Sequence, residues 1–156
     1  MENIVNHCFE LTLNGFGITN WFNIYKEKNV SKLWKPLTST NYKVYAIVSN
    51  NTILYVGTTK DNIRNRLRSG LKANGKNGYH GYKWKDRKKV RIYVWCFDNL
   101  NKEEIENIEA EFALIVRNST SRWPECQNEI HFNNSFFPEG KDIATVLFNQ
   151  ISEMDK

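Results

Sequence analysis

The sequence predicts an α+β domain: a small antiparallel three-stranded sheet in the order β-β-α-β-α, flanked by helices, with further helical segments at both ends. Three observations carry this. Two short apolar runs meet at the turn-forming tetrad Ser49-Asn50-Asn51-Thr52, as the strands of a hairpin do. Ile63, Leu67 and Leu71 recur four apart, the spacing of one helix face. Val90, Ile92, Val94 and Cys96 alternate with Arg91, Tyr93 and Trp95, the period of a strand.

Residues 1–42 show no clean alternation and read as an N-terminal extension, in which Thr19 caps a short helix carrying Trp21, Phe22, Ile24 and Tyr25. Pro36 and the Ser/Thr/Asn cluster through Asn41 then form a connector. In the hairpin, Val44, Ala46 and Val48 face away from Tyr45 and Ile47, while Ile53, Tyr55 and Gly57 share one side of the returning strand. Asp61 is placed to cap the helix of Ile63, which ends before Gly75 and Gly78. After the third strand Asn101 begins a second helix, with Glu104 at its third position as in a capping box. Its stripe is Ile105, Ile108, Phe112, Ile115 and Val116, and Glu111 borders it at about 60° from Ile108. An irregular segment or short strand with Ile130 and Phe132 follows, then a closing helix with Ile143, Val146, Leu147 and Ile151. With 156 residues, 40% of them apolar, the chain can bury one core. It divides into the extension 1–42, a core 43–132 and a C-terminal helix 135–156.

No run of about twenty apolar residues is present, which excludes a membrane-spanning helix. Glu2 and His7 stand where a secretory signal would be basic and then apolar. Cys8, Cys96 and Cys126 lack metal-site spacing and are odd in number, which points to free thiols and a cytoplasmic protein. The net charge of +5 hides a segregation. Lys60 to Arg91 holds twelve basic residues against Asp61 and Asp86, a local charge of +10 that leaves −5 for the rest. Tyr79, His80, Tyr82 and Trp84 lie among those lysines, and aromatics interleaved with cations suit contact with nucleotides. Candidate nucleic-acid contacts are Lys60, Arg64, Arg68, Lys72, Lys83, Lys85, Arg87 and Lys88. If six of the basic residues meet phosphates, log K should fall against log salt with a slope of about −5.

A tyrosine on each hairpin strand, an arginine-rich helix and a later acidic residue supply parts for cutting a phosphodiester. These parts are a phenol to take a proton, a guanidinium to hold phosphate and a carboxylate to hold a divalent metal. Here the chain resembles a GIY-YIG nuclease over about residues 43–132. Lys43-Val44-Tyr45 stands for the first motif and Tyr55-Val56-Gly57 for the second. Arg66 takes the place of the family's helix arginine, with Arg64 the alternative register. Glu111 resembles the metal-binding glutamate and Asn128 the late asparagine. His80 falls where phage homing endonucleases of the family carry a histidine, and Lys60 matches their pattern too. The resemblance implies single-metal hydrolysis of DNA. In it Tyr45 accepts a proton from the attacking water, Tyr55 holds water or phosphate, Arg66 grips the scissile phosphate, and Glu111 binds one Mg²⁺, for which Mn²⁺ can substitute. It also implies a homodimer or two successive cuts to break both strands.

Three positions depart from the family pattern. Lys43 replaces the first glycine, Thr58-Thr59 stand where a lysine is frequent, and Gly70 stands four residues beyond Arg66 where His or Tyr is frequent. His80 is then the candidate to supply general-base help from elsewhere. These departures also define the competing reading, a catalytically inactive DNA-binding module that keeps the basic face.

Overall fold

A computed structural model describes residues 3–127 and 136–154. The N-terminal extension is built of strands, not the helix expected after Thr19. Strand β1 (Asn6–Leu13) buries Phe9, Leu11 and Leu13 and leaves Glu10 and Thr12 half-buried. Asn14 turns the chain by accepting the backbone N–H of Phe16 and Gly17 at 2.9 and 3.0 Å, with Gly15 at φ 86°. Strand β2 (Ile18–Asn23) returns, and the side chain of Asn23 accepts from the N–H of Tyr25 and Lys26 to start the next turn into β3 (Lys28–Val30). Trp21 is therefore a strand residue. A run of apolar and aromatic groups this short fits either element by periodicity, and pairing with a neighbouring strand decides it.

Strands β4 (Tyr42–Ser49) and β5 (Thr52–Thr59) form the expected hairpin. Its turn is Asn50-Asn51, both at positive φ, which asparagine tolerates better than most residues and which the twist of a two-residue hairpin requires. Helix α1 (Ile63–Lys72) follows, capped by the side chain of Asn62 on the N–H of Arg64, so the cap is one residue later than Asp61. Then come β6 (Lys89–Phe97), α2 (Lys102–Thr120) with the expected Asn101–Glu104 capping box, and α3 (Gly140–Met154). The expected three-stranded sheet is too small. Among the described residues one antiparallel sheet has six strands in the order β3-β2-β1-β6-β4-β5, because β1 pairs with β6 and carries β2 and β3 with it.

Both faces of the sheet are covered. One carries α1 on Phe9, Leu11, Tyr45, Ile47 and Ile92. The other carries α2 and α3 on Cys8, Val44, Ala46, Tyr93 and Trp95. A β-bulge shifts the register where Ile47 pairs with Tyr55 but Val48 pairs with Ile53. Leu54 is the extra residue, and Leu54 and Tyr55 both lie on the α1 side while Ile53 goes to the α2 side. Simple alternation, which puts Ile53 with Tyr55, fails at this bulge. The free edge of β5 is closed by the segment after α2: Cys126 N–H donates to the Leu54 carbonyl, and the Gln127 amide both accepts from and donates to the Val56 backbone.

Lys43, the departure from glycine in the first motif, has a structural role. It is fully buried, and its ammonium donates to the carbonyls of Ser39, Asn41 and Asp61 at 2.7–2.9 Å. Three charge-assisted bonds offset its desolvation and tie the segment before β4 to the turn that starts α1. No helix among the described residues is long and apolar enough to cross a membrane.

Candidate active site

The register of the hairpin brings the two motif tyrosines together. Tyr45 pairs with Gly57 and Ile47 with Tyr55, so both phenols project from the α1 face, with ring centroids 5.9 Å apart. Gly57 is the residue that makes this possible. A Cβ there would sit 2.7 Å from Cζ and Oη of Tyr45 and from Cε1 of Tyr55. The glycine of the second motif is thus a steric requirement of two rings closing over one backbone position.

A third phenol joins them from the loop after α1. Tyr82 Oη lies 2.9 Å from Tyr45 Oη, and its ring meets Tyr55 edge-on at 5.3 Å and stacks on Trp84 at 4.7 Å. Tyr82 occupies the space left by Gly70, whose hypothetical Cβ would fall 2.1–2.6 Å from the Tyr82 ring. Where the sequence shows a missing side chain on α1, a tyrosine from elsewhere fills the position. The expectation that Tyr82 and Trp84 face nucleotides with Tyr79 and His80 is corrected: both are buried. Tyr79 and His80 are exposed.

Arg66 leaves α1 on the flank facing these rings. Its guanidinium lies 5.2 Å over the Tyr82 ring and donates to Tyr79 Oη at 3.3 Å. Burial pulls its pKa down, but the phenols of Tyr45, Tyr82 and Tyr79 outweigh this and the net direction is up, so the cation is held. Arg66, Tyr55, Tyr79, His80, Lys83 and Lys85 line one cleft of about 900 Å³. Lys85 is braced there by the carbonyls of Ala73 and His80, and His80 sits exposed at the rim against Gly75.

Two carboxylates line this cleft, Asp86 from the loop before β6 and Glu109 from α2, the latter two residues before the expected Glu111. Glu109 lines the cleft, accepts the Thr58 hydroxyl at 3.0 Å and raises the pKa of Tyr55 by its charge. Glu111 does not line it. It lies one turn beyond Asn107, whose side chain faces Gly140 of α3, and so belongs to the α3 side of the helix. Both glutamates border the apolar stripe, on opposite sides. Glu109 comes over β5 from one face of the sheet and Arg66 from the other, so the cleft straddles the sheet edge.

The remaining basic residues divide. Arg64, Arg68 and Lys72 line a separate groove on the other flank of α1. Lys60 lies over the Tyr42 ring, Arg87 is paired with Glu125 at 2.9 Å, and Lys88 is exposed. Asn128, Ile130 and Phe132 lie outside the described residues.

The environment pushes the phenols away from easy ionisation. Burial, then the neighbouring phenols Tyr82 and Tyr55, holds Tyr45 well above the ordinary 10.0, with Arg66 opposing; burial also raises Tyr55 and Tyr82. These three groups therefore keep their protons in the folded state at pH values where an unfolded chain loses them. The unfolded state then binds fewer protons, and stability falls as pH rises above 10.0. Urea midpoints are expected to decline from pH 9 to pH 11, and less steeply in Tyr45→Phe; a flat midpoint over that range contradicts this environment. By the same burial argument the Cys96 thiol is pushed up to about 11, which makes it a poor nucleophile.

Tyr55, Arg66 and Glu109 thus meet in one cleft with Lys83 and Lys85, and Tyr45 is buried behind Tyr55. The GIY-YIG catalytic domain model matches residues 41–120, half of the chain, and the chain belongs to that family. Its members form a superfamily of nucleases, typically metal-dependent. No curated protein matches the chain, and no solved structure does.

Proposed function

We propose that the protein is a Mg²⁺-dependent DNA endonuclease whose cleft is built from Tyr55, Arg66 and Glu109, with Tyr45 buried behind Tyr55. The observation that carries this is the arrival of Arg66 and Glu109 from opposite faces of the sheet at the motif tyrosines, in a cleft rimmed by lysines. Arg66 holds the scissile phosphate and stays charged throughout. Tyr55, half-buried in the cleft, positions the attacking water, and Tyr45, buried behind it, takes the water's proton as the phenolate, a minor form at neutral pH that grows as pH rises. Tyr82 orients the Tyr45 hydroxyl through their hydrogen bond. Lys83 and Lys85 draw the strand in, and His80 is at the rim, placed to meet substrate.

The donor set fits a metal shared with substrate. Among the described residues no group of three His, Cys, Asp or Glu could hold an ion alone. Mg²⁺ commonly keeps several waters and takes one or two carboxylates together with substrate phosphate oxygens, and Glu109 offers one. When bound, such an ion stabilises the charge that develops on the leaving oxygen.

Lys43, the departure that most favours an inactive module, is explained by packing, since it is buried under three carbonyls. The remaining question is one of chemistry. Supercoiled plasmid incubated with the protein and Mg²⁺ is expected to be nicked or linearised, with a rate that rises as pH rises from 7 to 9. A chelator is expected to stop cleavage while leaving Tm unchanged, since no group of three His, Cys, Asp or Glu among the described residues makes a metal cage for the fold to depend on. Tight DNA binding with no cleavage in Mg²⁺ or Mn²⁺ establishes the inactive module instead.

A further inference from the structure

Helix α1 has two basic flanks, and only one faces the cleft. Arg64, Arg68 and Lys72 recur four apart, so they share one side of the helix, while Arg66 is rotated about 200° from Arg64. The side they share forms one wall of a groove of about 490 Å³ whose other wall is β2 and β3, including Asn20, Trp21 and Asn29. Among the described residues no acidic one lines it.

The groove has the character of an anion site. The Arg64 guanidinium lies 5.3 Å over the Trp21 ring, and its Nη2 is buried without a hydrogen-bond partner. A buried guanidinium N–H without a hydrogen bond costs more than one exposed to water, because it has lost its water and gained no acceptor. Burial and the neighbouring Arg68 both press the Arg64 pKa down, as expected of a cation with no counter-charge. Like charges at i, i+4 also repel along the helix. Thr19, Ser31 and the two asparagines add neutral hydrogen-bonding groups, the mixture found around backbone phosphates. The β2–β3 wall lies outside the residues matched by the family model, so this groove is not supplied by the catalytic domain alone.

We propose that the groove between α1 and the β2–β3 hairpin is a second phosphate-binding site, which holds the sugar–phosphate backbone of the bound DNA away from the bond being cut. This rests on the nuclease reading for the identity of the ligand. One duplex can reach both sites. The flanks are separated by a helix about 10–12 Å across, close to the roughly 12 Å width of a major groove. The N-terminal strands thereby act as an anchor that sets where along the duplex Arg66 meets a phosphate.

The test is the salt dependence of duplex binding, read by fluorescence anisotropy in EDTA so that no cleavage occurs. Arg68→Gln/Lys72→Gln alters two exposed side chains, and it is expected to weaken binding and make the slope of log K against log salt shallower by about 2. Arg64→Gln alone is expected to make it shallower by about 1. The control Lys102→Gln/Lys141→Gln removes the same charge from α2 and α3 and is expected to leave the slope as in the wild type. Equal slopes for the groove variant, the control and the wild type overturn the groove while leaving the nuclease standing. A steep wild-type slope that flattens in the groove variant, with no cleavage of plasmid in Mg²⁺, upholds the groove and removes the nuclease. A wild-type slope near zero removes both.

Discussion

Glu109→Gln is expected to slow plasmid cleavage by at least about 10²–10³-fold, whereas Glu111→Gln is expected to leave the rate within a few-fold. The two positions are about 200° apart around α2, and the fold gives them different neighbours. Glu109 has Thr58 and Tyr55 beside it and opens into the cleft that holds Arg66. Glu111 lies toward the side of α2 that meets α3. Glutamine keeps the size and hydrogen-bonding capacity of either residue but not its charge, so an effect confined to Glu109 isolates the electrostatic role from packing. Single-turnover nicking rates at saturating protein, with thermal melts to show both variants folded, make the comparison. A dead Glu111→Gln beside an active Glu109→Gln reverses the assignment.

Gly70→Ala is expected to destabilise the protein, against the local rule for helices. In an exposed helix interior this substitution gains about 1 kcal/mol, because alanine loses less backbone freedom on folding. Here the new Cβ would sit 2.1 Å from Tyr82 Cε2. The ring cannot give way cheaply, since it stacks on Trp84 and its hydroxyl engages Tyr45. Overpacking a fixed core costs about 1–3 kcal/mol, which exceeds the propensity gain at most of that range and sets the sign. Tyr82→Ala alone is expected to cost about 3–5 kcal/mol through the cavity it leaves. The double variant is expected to lose less than the two singles together, by about 1–3 kcal/mol, because alanine at 70 no longer meets a ring. Urea denaturation of the four proteins measures all of this. A Gly70→Ala variant more stable than the wild type excludes the packing of Tyr82 over Gly70. The same cycle read by nicking rate tests whether the ring contributes to chemistry: Gly70→Tyr/Tyr82→Ala, which returns a phenol from the helix, is expected to recover part of the activity lost in Tyr82→Ala.

Elements governed by local chemistry are legible in the sequence. The Asn50-Asn51 turn, the alternation from Val90 to Cys96 and the Asn101–Glu104 capping box each depend on residues within a few positions of one another. So does the family resemblance, because its motifs lie on a hairpin and the helix that follows it directly. The strands β1 to β3 are less legible. Phe9, Leu11 and Leu13 do alternate with Glu10 and Thr12, a signal of a strand that the surrounding residues obscure. Trp21, Phe22 and Ile24 fit a helix by spacing, yet Trp21 and Phe22 lie in a strand through hydrogen bonds to β1. The choice between Glu109 and Glu111 is beyond local reasoning, because each borders the same apolar stripe and only the placement of α2 against β5 and α3 separates them.

By itself the sequence determined the family, the hairpin with its paired tyrosines, the helix arginine and the concentration of positive charge, since these follow from backbone preferences and side-chain chemistry at short range. Tertiary structure alone decided the six-stranded sheet, the bulge that sends Ile53 and Tyr55 to opposite faces, the ring of Tyr82 in the space over Gly70, the α2 carboxylate that enters the cleft and the second groove beside α1. Each of those depends on side chains from segments far apart in the chain competing for one volume, and close packing in three dimensions settles such competition where periodicity along one dimension does not.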